Sequence, residues 1–377
     1  MKLKHYLILA SGSAVITWFM WSHAGRHYTP PRPETALDVI ETVELDTPCS
    51  RNVVAIQPHM KPEDYRSEDH FYEKLNAYFS VALNAGLFRK NTTVLLPEYL
   101  GVWLVIAGEK RLVSETSDLN TGMTVMALTN FFSFLRHWFL FNPENQNEAV
   151  LFRMKASQMA HIYSSVFRKL AKKYRITIVA GSIILPDPAV FRNEITLHLT
   201  GELLNCAFIF YPDGSIDPRI VKKSFPVADE QKFMAACPVS DLPVFDLGIG
   251  KTVVMICADS WYPETYAEAE RKNAQIILVP SYAQGNGKMQ QPWEGYDGYH
   301  PPDDVDRNHV LSISESEAWK KYALPGRFPK NAVLGVNVFL RGDFWNLGSD
   351  GRTLIVYKEN LIEVQQSERA GIWNICF

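Results

Sequence analysis

Thr252-Val253-Val254-Met255-Ile256-Cys257-Ala258-Asp259-Ser260-Trp261-Tyr262-Pro263-Glu264 runs an apolar, β-prone segment straight into a cysteine and then breaks. Val253 to Ile256 read as a short buried strand, Cys257 to Ser260 as a turn, and Pro263 as a residue that opens a helix in its first turn. Cys257 therefore stands at the carboxyl end of a strand. Open α/β sheets place their chemistry there, because the strand end is rigid and the following turn offers free backbone N–H donors. Alone, such a cysteine is a small buried hydrophobe. Two other stretches give it company.

Asn91 to Gly101 (NTTVLLPEYLG) is a second apolar strand that ends abruptly, in Pro97 and the carboxylate of Glu98. Asn205 to Glu230 is a strand, a Pro212-Asp213-Gly214 turn, the pair Lys222-Lys223, and two acids, the second of them Glu230. Around these, Asn52 to Gln57 reads as a strand. Phe71, Leu75, Tyr78, Phe79 and Ala82 carry helical spacing, as do Met159, Ile162, Tyr163, Val166, Phe167 and Leu170, before Lys172-Lys173 at a helix C-terminus. Ile176 to Leu185 follows as a buried strand. Strand, helix, strand, helix, strand predicts α/β layers. Ile195 to Thr200 and Ala207 to Tyr211 read as neighbouring antiparallel strands. Beyond Cys257, a helix is expected over Glu264 to Lys272, then strands over Ile276 to Pro280 and Val333 to Leu340, and a last hairpin ending at Thr353 to Tyr357.

A strand-terminal Glu, a Lys and a strand-terminal Cys, in that order, make this chain similar to the nitrilase superfamily of carbon–nitrogen hydrolases, over roughly Asn52 to Tyr357. The resemblance implies a four-layer α-β-β-α sandwich; periodicity alone gives only α/β. It also implies roles. A thiol attacks a carbonyl or nitrile carbon as thiolate, so it needs a base. Glu98 would take the proton and return it to the leaving amine. Lys222 and the backbone N–H of Ala258 would stabilise charge developing on the substrate. Glu230 falls where the family places a further Glu beyond its Lys, to orient the lysine or the substrate. The family's aromatic-Arg before the Lys and His after it are replaced here by Ile220-Val221 and Ser224. If Lys223 points inward instead, the register moves by one residue and the face reverses.

The first residues read differently from the rest. Lys2, Lys4 and His5 precede an apolar run from Tyr6 to Trp21, then Ser22-His23-Ala24 and a Pro-rich stretch. This reads as a secretory signal cleaved after Ala24 or, since the run falls just short of the ~17 residues that span a bilayer, as an uncleaved anchor touching the membrane through residues 6–21. The expected organisation is thus a signal or anchor at 1–24, a linker at 25–50 and a hydrolase domain at 51–377. The body would be exported, to the periplasm or another extracytoplasmic space.

Composition narrows the rest. A net charge of -3 gives no drive toward nucleic acid. The five cysteines are scattered without a CxxC spacing, so one disulfide and at least one free thiol are compatible with export. No metal and no organic cofactor is expected. Two segments read as additions. Met123 to Phe141 is apolar almost all round, suiting a buried helix or else a lid or membrane-resting face. Ser281 to Asn308 is a long Gly-rich loop followed by His309; Asp303, Asp304, Asp306 and His309 are either solvated acids and a histidine or cation ligands. The expected activity is an amidase-type hydrolysis of a small amide or nitrile through a Cys257 thioester, in a family that commonly pairs as homodimers. The rivals are an N-acyltransferase using the same triad and a non-catalytic binding protein that kept the fold.

Overall fold

The computed structural model describes residues 2–141 and 147–377. In chain order the main strands are β1 (Leu37–Glu44), β2 (Asn52–Gln57), β3 (Thr92–Leu95), β4 (Thr177–Pro186), β5 (Leu203–Phe210), β6 (Val221–Lys222), β7 (Val244–Leu247), β8 (Gly250–Val254), β9 (Ile276–Ser281), β10 (Leu334–Phe339), β11 (Leu354–Tyr357), β12 (Asn360–Ile362) and β13 (Ala370–Cys376). The longer helices are α1 (Lys2–His23), α2 (Glu68–Asn84), α3 (Leu119–Thr129), α4 (Phe131–Phe141), α5 (Asn147–Tyr174), α6 (Pro263–Arg271) and α7 (Glu315–Tyr322).

A seven-stranded sheet has the order β1-β13-β2-β3-β4-β5-β6, and a six-stranded sheet the order β7-β8-β9-β10-β11-β12. The strands at the centre of each run parallel: β2, β3 and β4 in the first, β8, β9 and β10 in the second. Alternation along each strand explains the layers. Val53, Ala55 and Leu95 share one core with Val254, Ile276 and Leu278 of the other sheet. Their neighbours Val54, Ile56 and Val94 pack outward against α2 and α5, through Phe71, Leu75, Tyr163 and Phe167. Val253, Ile277 and Val279 pack outward with Tyr266 and Ala269 of α6. Each sheet is covered on both faces, so its central strands are continuous apolar runs.

Three expectations need correction. The stretch 25–50 is more than a linker: β1 pairs in parallel with β13 at the sheet edge, and Cys49 forms a disulfide with Cys376. Neither β1 nor β13 stood out in the sequence. Ile195–Thr200 does not extend the main sheet; Glu194–Leu197 pairs with Pro188–Phe191 as a separate hairpin. Met123 to Phe141 is not one buried helix: it spans the end of α3 and all of α4, and α4 buries none of its residues. Among the described residues, no helix is long and apolar enough to cross a membrane. The C-terminal end of α1 rests on the body, where Trp18 Nε1 donates to the Leu128 carbonyl at 2.9 Å.

Candidate active site

β3 and β8 each lead within a few residues to one in left-handed backbone conformation: Tyr99 at φ 63° and Cys257 at φ 50°. A non-glycine there costs ~1–3 kcal/mol and persists only where surrounding structure enforces it. At the Glu98 end the enforcement is visible. Tyr99 N donates to Ser182 Oγ at 2.9 Å, and Gly101 N to the Ser182 carbonyl at 2.8 Å. Gly181, at φ 74°, lies so close that a Cβ on it would sit 2.2 Å from the Pro97 carbonyl oxygen. At the cysteine end, Cys257–Trp261 is a single short 3₁₀ helix. Asp259 ties it down, accepting from Ile256 N at 3.1 Å, Ser224 N at 2.9 Å and Phe225 N at 2.8 Å. One carboxylate thus joins the cysteine turn to the segment just after the lysine pair. Burial pushes the Asp259 carboxyl up to about 7, against the pull of Lys223 and these three amides.

The lysine at the site is Lys223, and the expectation of Lys222 is corrected. Its Nζ donates to Glu98 Oε1 at 2.8 Å and lies 2.6 Å from Glu230 Oε2. β6 pairs with β5 so that Lys222 stands opposite Cys206 and Val221 opposite Ala207. Val221 and Ala207 face the core between the sheets, while Cys206 belongs to the outer one. Lys222 therefore points away, and the next residue returns to the inner face. Lys222 remains half-buried, whereas Lys223 is sealed.

Glu98 and Glu230 are held by a common donor, Asn205 Nδ2, at 3.0 and 3.1 Å. Glu98 Oε2 also accepts from Tyr282 N at 3.1 Å. Glu230 accepts from Tyr99 Oη at 2.5 Å and from Val227 N at 2.9 Å. The Cys257 thiol faces Glu98 and lies 3.7 Å from the Tyr282 carbonyl. Two carboxylates and one ammonium sit together out of water, and the electrostatics follow. Burial raises the Glu98 pKa, Lys223 opposes it and the Glu230 charge adds to it. Burial works against the Lys223 ammonium, yet Glu230 and Glu98 carry its pKa well above the usual lysine value. Burial and then the Glu98 charge push the Cys257 thiol well up, so at rest it holds its proton beside a carboxylate.

Glu98, Lys223, Glu230, Cys257 and Ala258 all line one cavity of about 650 Å³. Ala258 is in the first turn of the 3₁₀ helix, where a backbone N–H has no intrahelical acceptor. The arrangement can therefore supply a nucleophile, a proton acceptor beside it, and donors for developing negative charge. Sequence reasoning gave no role to Asn205, Tyr99, Asp259 or Tyr282. The only trace of them was position: Asn205 begins the stretch read as a strand and is the third residue of β5, Tyr99 follows Glu98, and Asp259 follows Cys257 by two. In the long loop, Asp304 is paired with Arg327 at 2.9 Å, and Asp306 caps the turn through Asn308 N at 3.0 Å. His309 Nδ1 meets Tyr322 Oη at 2.5 Å. Among the described residues there is no group of three or more His, Cys, Asp or Glu that could hold a metal ion.

A carbon-nitrogen hydrolase family model matches residues 112–296, a span that holds Lys223, Glu230 and Cys257 but not Glu98. A probable hydrolase, YhcX of Bacillus subtilis (strain 168), is 30% identical over 118 residues, 31% of this chain and 20% of that protein. The match thus spans about a fifth of the relative's length. Among solved structures the chain is similar to the amidase from Nesterenkonia sp. AN1 with an acetamide moiety covalently added at its active-site cysteine, with a TM-score of 0.53 and 13% identity over 87% of this chain and 90% of that one. The complex of a mutant of that amidase with butyramide gives a TM-score of 0.53 and 14% identity over 86% and 89%.

Proposed function

Because the chain belongs to the nitrilase superfamily of carbon–nitrogen hydrolases, we propose that it is an amidase-type enzyme working through a thioester on Cys257. The observation that carries this reading is the sealed cluster in which Lys223 bridges Glu98 and Glu230 at 2.8 and 2.6 Å, with the Cys257 thiol facing Glu98. In the first half-reaction the Cys257 proton passes to Glu98 as sulfur bonds to the carbonyl carbon. Lys223 and the Ala258 N–H stabilise the oxygen's charge, and Glu98 gives its proton to the amine as the C–N bond breaks. Water, losing a proton to Glu98, then cleaves the thioester to free acid and thiol. A nitrile would meet the same first attack. Glu230, Asn205 and Tyr99 hold the lysine and the base in place.

Export supports itself on two features: the basic-then-apolar start of the chain, and the Cys49–Cys376 disulfide, a bond that persists in oxidising compartments. α1 exposes Val15, Ile16, Phe19 and Met20, and α4 exposes Phe132, Phe139 and Leu140, so a membrane-resting N-terminal face belongs to the same reading.

The test is intact mass after brief exposure to a panel of aliphatic and aromatic amides and nitriles. An acyl increment mapped to Cys257, absent in Cys257→Ala and short-lived unless Glu98 is replaced, is the expected result. Turnover of those amides by Cys257→Ala at the wild-type rate would sink it.

A further inference from the structure

We propose that the substrate is an amide whose acyl group is a long, unbranched aliphatic chain; this rests on the hydrolase reading above and names its substrate class. The cavity of about 650 Å³ lies within the ~300–1,000 Å³ of sites that enclose drug-sized ligands, far more than an acetamide-sized molecule fills. Its lining has three characters: aromatic, with Trp103, Trp261, Trp293 and Trp319 among others, aliphatic, and charged. One wall is built by Val105, Ile106, Met123, Met126, Leu151 and Phe152, from the 3₁₀ turn after Glu98, from α3 and from the start of α5. The charged lining residues outside the catalytic cluster are Glu148, Asp229, Lys232, Lys288, Asp297 and Glu315, and every one is exposed or half-buried. Charge is thus kept toward solvent, and the apolar wall offers a flexible chain methionine and aliphatic contact, which adapts to an extended hydrocarbon.

The division of labour follows from the two half-reactions. The acyl group stays bound to sulfur while the amine leaves and water arrives. A chain lying along the apolar wall through that interval leaves the charged approach open for the amine to depart and water to enter. Met126 lines the cavity, while Leu128, two residues on in α3, is 49% exposed.

The experiment measures kcat/KM for straight-chain primary amides from acetamide to dodecanamide, and for N-alkyl acetamides of matching length, with intact mass of the full chain. Each methylene buried on the apolar wall is expected to raise kcat/KM about fourfold until the wall is filled. The adduct on Cys257 should carry the chain's mass. Met123→Trp, which fills that wall, should lower dodecanamide relative to butyramide by tenfold or more. Should that variant not fold, Ile106→Phe and the wild-type length profile decide. A profile that is flat or falls with length while short amides are hydrolysed overturns this inference and leaves the hydrolase reading standing, as does a rise seen only with the N-alkyl series. No turnover of any amide, with no adduct, overturns the hydrolase reading and this inference with it.

Discussion

Lys223 Nζ meets Glu98 Oε1 at 2.8 Å with both side chains only 3% exposed, although the two residues follow separate strands and lie 125 positions apart. Everything at the site is arranged around that pair: Glu230 closes it from the other side, Asn205 bridges its two carboxylates, and the thiol of Cys257 faces it.

The two neighbouring lysines should behave oppositely. Lys223→Met strands two buried carboxylates, so it should lower stability by about 3–5 kcal/mol and turnover by about 10²–10³-fold. Lys222→Met should change either by little. Urea midpoints and amide hydrolysis on both variants check this; equal effects would return the role to Lys222.

Glu98→Gln should separate thiol reactivity from catalysis. The Cys257 pKa is raised by burial and by the Glu98 charge and lowered by Lys223. Removing the carboxylate takes away a raising influence and leaves the lowering one of Lys223, which Glu230 still holds, so the thiolate forms at lower pH. Alkylation of Cys257 by iodoacetamide should then rise at lower pH than in the wild type, while amide hydrolysis falls by about 10²–10⁴-fold for loss of the general base. A parallel fall in both rates would mean that Glu98 only supports the fold.

Asp259 should make stability depend on pH in a defined direction. Its carboxyl is pushed from an ordinary 3.8 up to about 7 by burial. Between those values the native state keeps a proton that the unfolded chain has released, so this group's contribution is full below about pH 4 and is lost as pH rises toward 7. Asp259→Asn should flatten that slope. It should also cost about 1–3 kcal/mol, because the new amide faces the Ile256 N–H. Urea midpoints of both proteins from pH 4 to 8 measure the difference, and parallel curves would refute the assignment.

The Cys49–Cys376 bond joins residues 327 apart. Cys376→Ser should lower stability by about 2–5 kcal/mol, and a reductant should bring the wild type down to the variant's midpoint while leaving the variant unmoved. Cys206 and Cys257 are buried free thiols, so any further effect of the reductant would point to a different pairing.

Much of this was readable along the chain. Val253–Ile256 and Val94–Leu96 are apolar on consecutive positions because both faces of their sheets are covered, and each run stops at a breaker that fixes where Cys257 and Glu98 emerge. The edge strands were not readable. β1 exposes alternate positions, mixes polar and apolar residues without a regular period, and lies within the stretch read as linker, and β13 follows the hairpin that closed the expected fold; they find each other only because the chain's two ends meet.

By itself, then, the sequence determined the α/β layering and the strand ends at which Cys257 and Glu98 emerge, since a strand end is a local event written by an apolar run and what interrupts it. Only the tertiary structure decided which lysine serves the site and which residues hold it. Lys222 and Lys223 are indistinguishable as neighbours, and the choice between them is made by the pairing of Val221 with Ala207, a contact that sets which face of a two-residue strand looks into the space between the sheets. Asn205, Tyr99, Asp259 and Tyr282 likewise acquire their roles from groups far away in the chain, the first two from neighbouring segments of their own sheet and the last two from across the space between the sheets.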